Sequence, residues 1–123
     1  MTVRTKIGSG PKVSGKIAVV GSLDKPAGTG EVDFSLAGKI VVCPTHVSRE
    51  LLEKMSVVKA AGMVAASVHW RDYEGVRDAE DPSLLVLLRF GSLNVSSELE
   101  KKLAKLDGKM GTLDGNAKEL TTE

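Results

Sequence analysis

The stretch from Gly38 to Trp70, GKIVVCPTHVSRELLEKMSVVKAAGMVAASVHW, constrains the fold more than any other. Ile40, Val41, Val42 and Cys43 form a continuous apolar run rich in β-branched residues, the pattern of a strand covered on both faces. Pro44 is expected to end it, because proline has no N–H to give to a ladder. Ser48 is placed to cap a helix by accepting from an exposed backbone N–H, and Glu50 to complement the positive end of the helix dipole. Leu51, Leu52, Met55, Val58 and Ala61 then share one stripe at helical spacing, with Arg49, Glu53, Lys54 and Lys59 elsewhere. Gly62 stands where a left-handed residue closes a helix. Met63 to Val68 supplies a second buried strand.

Two strands bridged by a helix are predicted to run parallel with a right-handed crossover. Their carboxyl ends then share one edge of the sheet, where open α/β sheets bind ligands. Cys43 to His46 trails the first strand, and His69 to Tyr73 trails the second. By this argument both histidines, the only cysteine, the only tryptophan and the only tyrosine reach a common rim.

The remaining segments fit around that unit as a single α/β domain over 1–123, with a central, mostly parallel sheet and two principal helices. Residues 1–37 read as a β-rich N-terminal layer, 38–113 as the α/β core and 114–123 as a frayed tail. Val3–Ile7 and Lys12–Val20 alternate as strands do, and Gly8-Ser9-Gly10-Pro11 between them reads as a turn. Glu31–Leu36 places Val32, Phe34 and Leu36 on one face of a further strand. Gly28-Thr29-Gly30 lacks the lysine and hydroxyl ending of a phosphate loop and reads as a turn. The acidic segment 69–82, HWRDYEGVRDAEDP, reads as a long solvated loop, with its rings capping the sheet edge. A lid or partner-contact loop is the functional alternative. Leu84–Phe90 is a third central strand whose direction stays open. Ser97 and Glu100 form a capping box ahead of Leu99, Leu103 and Leu106, with Gly108 ending that helix. Lys109–Leu113 is a candidate edge strand.

Composition narrows the function classes. A formal net charge of +1 provides no bulk field for nucleic acid or an anionic membrane. Aromatic residues at 3% disfavour stacking platforms for single-stranded nucleic acid. No apolar run is long enough to span a bilayer. A lone cysteine fits a reducing, cytoplasmic setting.

The polar mouth at the start of the first helix, built from Thr45, His46 and Ser48, is the first place to seek a ligand, since free N–H groups there suit an anion. With His69, Trp70, Arg71 and Tyr73 it makes up the expected ligand-binding set. Cys43, His46 and His69 also form a candidate metal set, with Asp72 or water as fourth ligand, or a thiol nucleophile with a histidine base. Cys43 inside an apolar run speaks against both. The preferred reading is a non-enzymatic binding or interaction module for a protein or small molecule, with no cofactor and no metal. The alternatives are a small metal- or thiol-dependent enzyme using Cys43, His46 and His69, and an RNA-associated accessory protein. The last rests on a basic hairpin at Lys6–Val20 with a slight likeness to the KOW type.

The strand Gly38–Cys43 and the turn Ala60-Ala61-Gly62-Met63-Val64-Ala65 resemble the protease-associated domain, a swivelling β/β/α module. That resemblance covers about a quarter of the chain and implies a lid, substrate-guiding or interaction role beside an enzyme. The same pieces, with Phe90-Gly91-Ser92 and LEKKLAKLDGKMGTLDG, are also similar to the C-terminal part of uncharacterised prokaryotic proteins. That second resemblance implies no catalytic residue.

Overall fold

A computed structural model describes residues 2–25, 32–79, 83–91 and 93–122. The expected Gly28–Gly30 turn lies outside them. The strands are β1 (Thr2–Arg4), β2 (Ile7–Ser9), β3 (Lys12–Val19), β4 (Ile40–His46), β5 (Gly62–Ser67), β6 (Ser83–Val86), β7 (Met110–Asp114) and β8 (Glu119–Thr122). The helices are α1 (Arg49–Val57), α2 (Trp70–Ala79) and α3 (Ser97–Ala104). The strands form one mixed sheet in the order β1-β8-β7-β3-β4-β5-β6-β2. Neighbours from β3 through β6 are parallel, and the pairs outside them are antiparallel. The direction left open for the third central strand is therefore parallel.

Alternation along β4, β5 and β6 divides the core in two. Val41, Cys43, Met63, Ala65, Leu84 and Val86 pack with Leu51, Leu52 and Met55 of α1 and Tyr73 and Val76 of α2. Ile40, Val42, Val64, Ala66 and Leu85 pack with Leu103 of α3 and with Leu113 and Leu120 of β7 and β8. Burial on both faces is why these strands read as unbroken apolar runs. The two ends of the sheet approach each other where β2 passes the β7–β8 turn. A Cβ on Gly115 would stand 1.8 Å from the Ser9 carbonyl oxygen, so only glycine fits there.

Several local expectations are corrected. β4 continues through Pro44 to His46, with a shift in register between Cys43 and His46. Proline is tolerated at such an irregularity, where no ladder N–H is required. The left-handed residue after α1 is Lys59, with φ 62°, whereas Gly62 opens β5. Close packing explains that glycine, since a Cβ would meet Leu113, Val13 and Ser83 atoms at 3.2 Å each. Residues 34–36 form a 3-10 turn instead of a strand, because the Asp33 carboxylate caps it by accepting from the Ser35 N–H at 2.9 Å. Val32 and Leu36 consequently face the core, while Phe34 is 73% exposed.

The segment expected as a solvated loop holds helix α2 over Trp70–Ala79. Tyr73 and Val76 bury one stripe at helical spacing, and the acidic residues occupy the rest of the surface. Ser96, not Ser97, caps α3, accepting from the Leu99 N–H at 3.2 Å. Glu100 is used elsewhere, its carboxylate accepting from the Leu23 N–H. The expected frayed tail is β8, which pairs with β7 and β1 and buries Leu120 and Thr122.

Candidate functional site

The carboxyl ends of β4 and β5 deliver His46 and His69 to one place. Their ring centroids lie 5.4 Å apart, edge to face at 86°. His46 is half-buried at the end of β4, in register with Ser67 of β5. His69 is exposed and precedes α2, its carbonyl accepting from the Tyr73 N–H at 3.0 Å.

Ser67 is the buried node beneath this pair. Its hydroxyl donates to the Leu93 carbonyl at 2.8 Å and accepts from the Leu93 N–H at 2.7 Å. A third contact reaches His46 Nδ1 at 3.2 Å. The single hydroxyl hydrogen goes to the carbonyl, which can only accept, so His46 Nδ1 donates to Ser67. His46 Nδ1 thereby carries a hydrogen, which in the neutral ring is the Nδ1–H tautomer. The His46 N–H donates to Asn94 Oδ1 at 3.1 Å, and Val95 N–H donates to the Pro44 carbonyl at 3.0 Å. The segment after β6 is thus laced across the ends of both strands.

Aromatic residues continue the rim on the α2 side. Trp70, Tyr73 and Phe90 meet pairwise at centroid distances of 5.0 to 5.8 Å. The Arg77 guanidinium lies 5.7 Å from the Trp70 centroid and 5.9 Å from that of Tyr73, within cation–π range. Tyr73 is buried and donates from its hydroxyl to the Gly8 carbonyl at 3.0 Å, while Trp70 remains 47% exposed.

The other expected site residues divide. Thr45 is buried, and its hydroxyl has no hydrogen-bond partner among the described residues. The Ser48 hydroxyl accepts from the Leu51 N–H at 3.2 Å and is committed to capping α1. Arg71 is exposed and lines a cleft between α1 and α2. Cys43 is fully buried among the apolar residues beneath α1 and α2. Among the described residues no three of His, Cys, Asp and Glu gather to hold a metal ion, so Cys43, His46, His69 and Asp72 do not make the metal set considered from the sequence. A buried thiol inside a strand is also a poor nucleophile. No described helix is long and apolar enough to cross a membrane.

Sequence reasoning missed Ser67 and Asn94. Ser67 did carry a signal, being the hydroxyl at the end of the apolar run from Met63, and a buried hydroxyl needs partners. Asn94 carried none, because its role depends on where its loop crosses the sheet.

Neither a family model nor a curated protein matches the sequence. Two solved structures share the fold over essentially the whole chain. One is a chain of aconitase X from Thermococcus kodakaraensis in its holo form, with a TM-score of 0.64 and 17% identity, covering 99% of this chain and 97% of that one. The other is a UPF0107 protein solved by solution NMR, with a TM-score of 0.63 and 13% identity, covering 100% of this chain and 99% of that one. The UPF0107 match agrees with the resemblance to uncharacterised prokaryotic proteins. Neither match is a protease-associated domain, and that likeness rests on the β4–α1–β5 crossover alone. At these identities the chain is similar to both proteins in fold.

Proposed function

We propose that this chain is a non-catalytic binding or interaction module whose working surface is the rim at the carboxyl ends of β4, β5 and β6. The observation that carries this reading is the pairing of His46 and His69 over the Ser67 node, beside an exposed Trp70. Histidine, tryptophan and arginine collect here, and no lysine occurs in segments 44–48, 67–73 or 87–96. Surfaces that bind proteins favour aromatic residues and arginine and are depleted in lysine. Thr45, His46, Ser48, His69, Trp70, Arg71 and Tyr73 remain the residues of that surface or its support. The buried Cys43 suits a cytoplasmic setting. The likeness to a chain of aconitase X supports a role beside an enzyme, although 17% identity carries no substrate and no residue role across.

Photo-cross-linking in native cells tests the reading. One cross-linkable residue replaces the exposed Leu88 at the rim, and another replaces the exposed Met110 on β7. A discrete adduct from position 88 but not from position 110 is expected. Adducts from 110 alone would move the working surface to the antiparallel half.

A further inference from the structure

A cleft of about 270 Å³ separates α1 from α2, beside the rim and sharing only Arg71 with it. Its walls carry both signs of charge. Arg49 and Glu53 belong to α1, and Arg71 and Asp72 to the first turn of α2. Leu52 and Val76 supply an apolar floor. A Cβ on Gly75 would meet nothing within 4 Å, so the α2 wall leaves open space at that point.

Two charged groups in this cleft remain open to a ligand. The Asp72 side chain is only 14% exposed, and its described partner is Arg49 Nε at 3.7 Å, an ion pair too long for a hydrogen bond. Arg71 has neither an ion-pair nor a hydrogen-bond partner among the described residues. The cleft therefore presents a withdrawn carboxylate, ion-paired to Arg49 alone, close to an exposed guanidinium that no described side chain engages, above an apolar floor.

We propose that the α1–α2 cleft binds a small zwitterion, an ammonium and a carboxylate joined by a short apolar body, as in a free aliphatic amino acid. The ammonium donates to Asp72, with Glu53 contributing negative potential. The carboxylate takes the planar fork of Arg71, and the apolar body covers Leu52 and Val76. A simple anion would meet Asp72 and Glu53, and a simple cation would meet Arg49 and Arg71, so each alone is opposed by a like charge on both walls. This site does not rest on the rim reading, and either can fail without the other.

The test is an amide NMR titration of the full chain with L-valine, set against isovalerate, which lacks the ammonium, and isobutylamine, which lacks the carboxylate. L-Valine is expected to shift the Gly75 and Val76 amides saturably at millimolar concentration, leaving the Trp70 indole and both imidazoles in place. The two truncated probes are expected to bind at least tenfold more weakly. Arg71→Gln and Asp72→Asn should each weaken L-valine at least tenfold. Gly75→Val should abolish binding by filling open space, with the chain still folded. Absence of cleft shifts, equal binding by isovalerate, or full affinity in the Arg71 and Asp72 variants would overturn the proposal.

Discussion

Strands β4, β5 and β6 are buried on both faces, whereas β1, β8, β7 and the first part of β3 bury one face and expose the other. In the antiparallel half, Ser14, Thr112, Thr121 and Thr2 lie in successive register across the outer surface. That surface is mostly polar, with Met110 exposed on the same face as Thr112. In the parallel half each strand ends beneath a helix start or a crossing loop, and polar residues are concentrated at those ends. The contrast teaches that burying both faces of a strand leaves its end as the place where polar chemistry can be displayed.

The largest effect expected from this contrast is in the parallel core. Leu85→Ala should cost about 2–5 kcal/mol, because Leu85 is fully buried between β6 and the antiparallel half. Thr112→Ala on the outer face should fall within about 0.5 kcal/mol of the parent. Urea unfolding of the two variants measures both, and equal costs would break the distinction.

Gly115→Ala probes the seam between the ends of the sheet. The 1.8 Å approach to the Ser9 oxygen forces backbone to move, and overpacking of this kind costs about 1–3 kcal/mol or more. A thermal melt with unchanged midpoint would show that β2 does not close against the β7–β8 turn.

Ser67→Ala sharpens the comparison at the rim. Removing the hydroxyl leaves the Leu93 N–H and His46 Nδ1 without their partner, at about 1–3 kcal/mol. The same variant should release His46 from the Nδ1–H tautomer, which imidazole 15N shifts report. Loss of stability with the tautomer unchanged would mean that Ser67 braces the loop alone.

The smallest effect lies in the 3-10 turn ahead of β4. Hydrogen bonds from the Ser35 hydroxyl and N–H to the Asp33 carboxylate hold its pKa below the ordinary 3.8. A depressed folded pKa means the contribution is fully present above the unfolded value and lost as pH falls through the folded one. Asp33→Asn should therefore be slightly less stable than the parent at pH above about 4 and converge with it as the pH falls below that. A difference that persists unchanged in acid would show that the turn does not depend on the ionised carboxylate.

Much of the parallel half was legible in the sequence. The β4–α1–β5 crossover follows from two apolar runs and one helical stripe, and Ser48 caps α1 as its position implies. Helix α2 was obscured because only Tyr73 and Val76 are buried, leaving charges to dominate the segment. β8 was obscured because ELTT carries a single large apolar residue, Leu120, whose burial depends on partners distant in sequence. That His46 and His69 meet at the ends of β4 and β5 was legible from topology. Its wiring was not, because Ser67, Leu93 and Asn94 meet only after the chain crosses back over the sheet.

The account's central claim is that β4 and β5 bring His46 and His69 together over Ser67. A nuclear Overhauser experiment on the imidazole protons tests it most directly. The 5.4 Å centroid separation predicts a cross-peak between the two rings. Two rings with no cross-peak, each unaffected by substitution of the other, would contradict it.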